Sequence, residues 1–352
     1  DGTPNCVDDC PFDPDKIDPG ICGCGVPDED SDLDGVLDCE DGCPYDPDKV
    51  EPGFCGCGVH ECWATLLPVT SHDLESVHFP VDAVTGYAAG SAGTILKTED
   101  GGMRWERLDS KTTWDLETIT FPDDTVIGYA VGDAGTILKT TDGGENWNER
   151  ETGSNVNLRG ACFVPGTRVG YVVGDGGTIL KTIDGGDTWA PQPSGTFKVL
   201  ESVHFPTDAW TGYIVGRGGT ILKTTTGGAS WVPQGAPTTE DLEDVYFPES
   251  DLTGYAVGDD GTVLKTTTGG AFWYAQDPST TRVLRGVSFP GFTLVGYVVG
   301  SGGVIRKTVD GGQHWIPEFP GTGTTLRDVQ FPVLDTGYVV GNNGIILKWI
   351  EE

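Results

Sequence analysis

Apolar and polar residues alternate in short bursts through residues 63–352, and the bursts recur. LESVHF (74–79) sets alternate large apolar side chains on one face, and GYAAG (86–90) follows it. A Gly-rich turn then leads to TILKT (94–98), and the turn DGG (100–102) leads to a segment opening at Trp105. Alternation over about five residues, punctuated by Gly and Asp, predicts four short strands per unit. The unit has a period of 42: Trp63, Trp105, Trp147, Trp189, Trp231, Trp273 and Trp315 keep that spacing throughout. Gly-Tyr pairs keep the same beat at Tyr87, Tyr129, Tyr171, Tyr213, Tyr255 and Tyr297, with Tyr338 one residue early. Four strands in about 40–45 residues, repeated, is the pattern of a propeller blade and not of a helical solenoid.

The closure of the ring is also legible. The last unit supplies three strands and stops, while an orphan outer strand stands before the first unit at Trp63. Trp63 precedes Leu74 by the same 11 residues that separate Trp105 from Leu116. The strand at about 63–68 is therefore expected to complete the seventh blade against 344–350, hiding two sheet edges that would otherwise invite aggregation. The fold class expected is all-β, a seven-bladed β-propeller of four-stranded blades over 63–352, preceded by an irregular segment over 1–62.

That first segment obeys different rules. Cys6, Cys10, Cys22 and Cys24 recur 33 residues later as Cys39, Cys43, Cys55 and Cys57, and CPFDPDKIDPGICGCG is answered by CPYDPDKVEPGFCGCG. Nine of the ten cysteines lie between Cys6 and Cys62, a density that implies an oxidising compartment and disulfide staples in place of a core. Eight repeat cysteines allow about 105 connectivities, and the sequence does not choose among them. Pro and Gly exclude long helices and ordinary strands here. The location expected is extracellular or at the cell surface. The first residues lack the basic and apolar regions of a signal peptide, so either a leader has been removed or the chain is part of a longer one.

Charge sharpens this picture. The net charge is −33, which argues against nucleic acid and anionic membranes as partners. Residues 1–62 hold 18 acidic side chains against Lys16 and Lys49 alone. So much carboxylate needs cations to fold. Asp30, Asp32, Asp34, Asp38 and Asp41 occupy positions 1, 3, 5, 9 and 12 of a loop, with Gly35 at 6 for the sharp turn and the Val36 carbonyl at 7. This spacing wraps the six to eight oxygens that Ca²⁺ requires around one centre. The flanks lack the periodicity of EF-hand helices. With its CGCG and CPxDPxK elements, the segment 1–62 resembles bacterial thrombospondin type 3 repeats, which implies a calcium-loaded, disulfide-linked stalk. The first copy is cut: Asp1, Gly2, Asn5 and Asp8 match Asp34, Gly35, Asp38 and Asp41, but its first two ligands are missing. Asp1, Asn5 and Asp8 are therefore expected to hold half a calcium site, completed by further repeats upstream or by a neighbouring molecule.

The turn Thr98-Glu-Asp100-Gly-Gly-Met-Arg-Trp105 recurs before Trp147, Trp189 and Trp315, with Thr226 and Thr268 in place of Asp in two copies. It resembles the Asp-box (BNR repeat) of sialidases and other propellers, where the resemblance implies that Asp caps a hairpin and Trp packs beneath it. The fuller consensus GYxVGxxGTILKTxDGGxxW over 63–352 resembles the Ycf48-like propellers, photosystem II assembly factors. That resemblance implies the fold. Members bind partner proteins through a basic patch, which this acidic chain lacks, so their task is not carried over.

Two charged sets follow the repeat. Glu75, Glu117, Arg159, Glu201, Glu243, Arg285 and Arg327 stand in the first strands; salt bridges between blades are the favoured reading and a binding ring the alternative. Lys97, Lys139, Lys181, Lys223, Lys265, Lys307 and Lys348 form the second set, read as structural. His78 and His204 occupy equivalent positions in two blades and cannot pair on a metal, and His60, His72 and His314 have no ligand spacing. Cys162 is expected to be a buried free thiol, with pairing to Cys62 the alternative. No hydrolase, zincin, haem or phosphate-loop motif occurs, and no residue is assigned a catalytic role. No run of 18 apolar residues exists to span a membrane. The function expected is a non-enzymatic structural or interaction protein that binds other proteins, with self-assembly through the calcium repeats. A glycan-binding propeller using Trp114 and Trp210, or an Asp-box glycosidase, is the alternative; the departures Trp114, Trp210, Arg217, Tyr274 and Arg282 bring no carboxylate pair for hydrolysis.

Overall fold

The structure, a computed structural model, describes residues 9–10, 12–51, 57, 61–248, 250–291 and 294–351. The chain divides into two compact units, Asp1–Ala64 with Ile350–Glu352, and Thr65–Trp349.

In the first unit, the described residues between 9 and 51 form turns and bends with no helix or strand. Disulfides organise it. Cys10 pairs with Cys24 and Cys43 with Cys57, the same link in each copy, while Cys22–Cys39 ties one copy to the next. Cys62 is also disulfide-bonded. Among the described residues between 9 and 51 buried side chains are few: Cys10, Asp41, Cys43, Asp46 and Lys49. Asp13 accepts from the Asp15 and Gly25 amides, and Lys16 lies 2.8 Å from Asp28, so local polar contacts stand in for a core.

The strands form seven four-stranded sheets, six of them antiparallel meanders from an inner to an outer strand. The first blade runs Leu74–His78, Gly86–Gly90, Thr94–Thr98 and Glu106–Leu108. The seventh takes Leu326–Val333, Thr336–Gly341 and Ile346–Glu351, and its fourth strand is Glu61–Thr65 from the start of the chain. The closing strand thus lies slightly earlier than the expected 63–68. The Leu66 amide still bonds Ile346 O, and Pro68, with no N–H, cannot extend the ladder. The early Tyr338 has a local cause: the first two strands of this blade continue into a hairpin with Val333 opposite Thr336, which takes up the missing residue. The outer strands of blades one to six are two or three residues long, and three of them carry Pro191, Pro233 and Pro317, which blunts the exposed edges.

The core lies between blades, and it explains the Gly-Tyr pairs. Gly86 faces the Phe79 ring of its own blade so closely that a Cβ there would lie 2.4 Å from it. Tyr338, the Tyr of the preceding blade, stacks on Phe79 at 3.8 Å, and Trp105 meets the same ring edge-on at 6.0 Å. The same trio recurs as Tyr87–Phe121–Trp147 and Tyr213–Phe247–Trp273. Each aromatic pair adds about 0.5–1.5 kcal/mol to what its buried area contributes.

The Asp-box hairpins act as the resemblance implied. Asp100 Oδ1 accepts from the Arg104 amide and the Thr98 hydroxyl, while Thr98 Oγ1 accepts from the Gly102 amide. Gly101 and Gly102 sit at φ of 70° and 84°, where a Cβ is strained. Thr226 and Thr268 replace the carboxylate with a hydroxyl that accepts from the Ser230 and Phe272 amides. Most of the lysine set clamps neighbouring blades. Lys181, Lys223 and Lys265 lie over the Tyr ring of their own blade at about 5.4–5.5 Å and donate to Gly227, Gly269 and Gly311 carbonyls of the next. Among the described residues no helix is long and apolar enough to cross a membrane.

Candidate functional site

Two places gather the chain's unusual chemistry. One is the loop 30–41 of the first unit; the other is the channel enclosed by the seven inner strands.

In the loop, Asp30 folds the backbone over itself, accepting from the Leu33 and Gly35 amides. Asp32 and Asp34 do the same for the Asp34 and Val36 amides. Gly35 at φ 100° allows the reversal. Carboxylate oxygens of Asp30, Asp32 and Asp34 consequently lie within 4.8 Å of one another, half-buried. Asp41 is 7% exposed; one oxygen accepts from the Cys43 amide, and the other is buried without a partner. Asp32 Oδ2 is likewise buried and unpartnered. Partial burial, then the charges of Asp34 and Asp41, hold Asp32 above the usual carboxylate range. The clustered carboxylates at loop positions 1, 3 and 5 are a donor set that could hold a hard cation, and Asp41 at position 12, outside that cluster, acts on Asp32 through its charge. Asp38 is engaged within the loop. Both its oxygens are taken by Ser31, through the amide at 2.7 Å and the hydroxyl at 2.6 Å, so it braces the loop. Asp1, Asn5 and Asp8 lie outside the described residues.

The channel is a cavity of about 530 Å³ lined by the inner strands of all seven blades. Every inner strand carries a register shift after its first residue, between Leu74 and Ser76 and at each equivalent position. The bulged residue is the charged one, Glu75, Glu117, Arg159, Glu201, Glu243, Arg285 or Arg327, and the bulge turns its side chain to the channel. Arg159 lies 3.6 Å from Glu117 and 3.9 Å from Glu201, Arg285 lies 3.4 Å from Glu243, and Arg327 lies 3.0 Å from Glu75, all between blades. Desolvation, then the neighbouring Glu75, pushes Glu117 up to about 7.

Deeper in, side chains stitch one inner strand to the next, where no backbone ladder runs. Ser76 Oγ accepts from the Ile119 amide, Asp244 Oδ2 from the Val287 amide and Asp328 Oδ2 from the Val77 amide. One layer further, His78 Nε2 bonds Phe121 O and Tyr246 donates to Phe289 O. Burial pushes His78 and His204 down to about 4 and Asp328 up to about 6. Cys162 is a free thiol on this wall, pushed up to about 11 by burial; with Cys62 in a disulfide elsewhere, the alternative pairing falls. Trp114 and Trp210 are more than half exposed, but one precedes an inner strand and the other follows one, so they mark opposite ends of the channel wall.

Sequence reasoning missed the bulges, because a charged residue between apolar ones reads as plain alternation. It also missed Asp244 and Asp328, though aligning the repeats shows Asp where other blades carry Ser, Thr or Gly.

A closed ring of seven four-stranded sheets with Asp-box hairpins defines an Asp-box β-propeller protein. The photosynthesis system II assembly factor YCF48 family matches residues 58–152 and 155–235, half of the chain, and the chain belongs to that family. Among solved structures it is similar to YCF48 bound to a D1 peptide, with 21% identity and a TM-score of 0.69 over 82% of this chain and 95% of that one. YCF48 from Cyanidioschyzon merolae gives 19% identity and a TM-score of 0.67 over 82% and 98%. The GH74 enzyme of Niastella koreensis gives 17% identity and 0.68 over 81% of this chain and 53% of that one. At these identities the structural likeness concerns the fold. No curated protein is detectably similar in sequence.

Proposed function

We propose that the protein is a non-enzymatic, extracellular interaction protein whose N-terminal calcium-binding segment acts as a stalk and whose propeller presents faces to partner proteins. The observation that carries the calcium reading is the Asp30–Asp32–Asp34 cluster with a buried, unpartnered oxygen on Asp32, with a second such oxygen on Asp41 of the same loop. Calcium would be held by Asp30, Asp32, Asp34, the Val36 carbonyl and Asp41, with Asp38 bracing the loop; the segment's resemblance to thrombospondin type 3 repeats agrees with this. The disulfides fit an oxidising exterior. A polypeptide partner is supported by the D1 peptide held by one of the similar propellers. Against hydrolysis, the channel carboxylates that border arginines are engaged in ion pairs between blades. Within this reading the protein is a subunit of a surface assembly, joined through its acidic repeats.

The test is solution mass by light scattering after size exclusion, in millimolar calcium and again in excess chelator. A large species that falls to monomer in chelator supports assembly through the stalk. Monomer in both, with no rise in melting temperature on adding calcium, sinks both the assembly and the metal site.

A further inference from the structure

The three arginines of the channel ring are not equally satisfied. Arg159 Nε donates to Asp175 Oδ1 at 3.2 Å, and Arg327 Nε to Asn342 Oδ1 at 2.7 Å. In both, the acceptor stands on the turn after the second strand of the same blade. The equivalent residue beside Arg285 is Ser301, which is too short to reach. Arg285 Nε is accordingly buried without a partner, and the single hydrogen bond of its head group among the described residues is the 3.4 Å contact to Glu243.

The rim around it changes character at the same place. Asp73, Asp115 and Asp241 precede the inner strands of blades one, two and five, and Asp133, Asp175 and Asp259 stand on the turns of blades two, three and five. Blades six and seven carry Val283, Ser301, Thr325 and Asn342 at those positions. Arg285 and Arg327 are adjacent in the ring, and the exposed Arg282 lies against Gly302 of the blade-six turn. Blade four also lacks these carboxylates, with Val199 and Arg217, but Arg217 is taken up by Glu201 and Asp241, so in a chain of net charge −33 the notch at blades six and seven is where a ring arginine is left short of acceptors.

We propose that Arg285, at this notch, is the anchor of a carboxylate-binding site opening into the channel. The guanidinium side chain is 29% exposed and tethered by one long contact, so it can turn its Nε–H and Nη–H towards the cavity. A planar carboxylate matches that fork with two parallel charge-assisted bonds and supplies the acceptor that Ser301 lacks. The acidic rim excludes bulk polyanions, so the ligand presents one or two carboxylates: a small organic acid, or an acidic side chain of a polypeptide.

The experiment titrates the full chain at low ionic strength with glutarate, with neutral glutaramide, and with a short peptide bearing one Glu and blocked at both ends. Calorimetry reads binding to wild type, Ser301→Asp and Arg285→Gln. Ser301→Asp gives Arg285 an internal acceptor like that of Arg159, so it fills the site while leaving the fold intact, checked by an unchanged or raised melting temperature. Saturable binding of glutarate or of the Glu peptide, absent for glutaramide and weakened about tenfold or more in Ser301→Asp, is the expected result. Whichever of the two probes binds identifies the source of the carboxylate. No saturable binding of either to wild type, or equal binding to Ser301→Asp, overturns the proposal. The site lies wholly within the propeller, so its failure leaves the calcium reading untouched.

Discussion

Asp328 offers a sharp test of how the inner strands are joined. Its carboxylate is half-buried on the channel wall among them, accepting from the Val77 amide of the next blade at 2.9 Å and the Val329 amide at 2.7 Å. Desolvation, helped by the charge of Asp244, raises it from an ordinary 3.8 to about 6. The folded protein therefore binds more protons than the unfolded chain between about pH 4 and 6, and stability contributed by this site falls as pH rises through that window. A shift of about two units corresponds to about 3 kcal/mol, fully lost above pH 6. Blades one and four carry Ser at this position, and Ser76 accepts the equivalent amide. Asp328→Ser should then gain on wild type as pH rises, with a difference in melting temperature growing by about 5–10 °C between pH 4 and 7.5. Carboxylates lowered by their hydrogen bonds, such as Asp184 and Asp310, act in the opposite direction, but equally in both proteins, so they cancel in the difference. Thermal melts across that range read it directly. A difference independent of pH would refute the reasoning.

Other substitutions separate the remaining contacts. Tyr87 OH donates to the Thr125 and Gly143 carbonyls, whereas Tyr171 OH is buried without a partner; Tyr87→Phe should cost about 1–2 kcal/mol in denaturant melts and Tyr171→Phe nothing or less. A Cβ on Gly128 would lie 2.3 Å from the Phe121 ring, so Gly128→Ala should destabilise by about 1–3 kcal/mol, and an unchanged denaturation midpoint would contradict the packing described. Asp41→Asn should abolish most of the rise in melting temperature that calcium gives, with Asp38→Asn much milder; the reverse order would reassign the ligands. With its thiol pushed up to about 11, the half-buried Cys162 on the channel wall should react with a disulfide reagent at pH 8 much more slowly in the folded protein than after unfolding, and equal rates would refute the shift.

The blade pattern could be read in advance because each of its requirements is local in sequence. Gly86 must be Gly to admit Phe79, the Asp-box turn needs Gly101 and Gly102, and the 42-residue spacing repeats both. Ring closure was legible for a related reason, since a missing outer strand at one end and a spare one at the other admit a single pairing. The candidate site was only half legible. Loop positions 30, 32, 34 and 41 follow from spacing alone, but that Asp38 turns to Ser31 depends on which oxygens the folded backbone leaves free.

What the sequence determined by itself is therefore the repeat: strand, turn and aromatic positions whose physics is settled within one blade and its neighbour. Tertiary structure alone decided the links of Cys22 to Cys39 and Cys10 to Cys24 among many equivalent cysteines, and the unequal fates of three arginines at one repeat position. Those outcomes turn on partners about 14 to 42 residues away in sequence, brought within a few ångströms by the turns and the closed ring. Hydrogen bonds are satisfied or orphaned at that scale, so a residue type and its spacing do not reveal them.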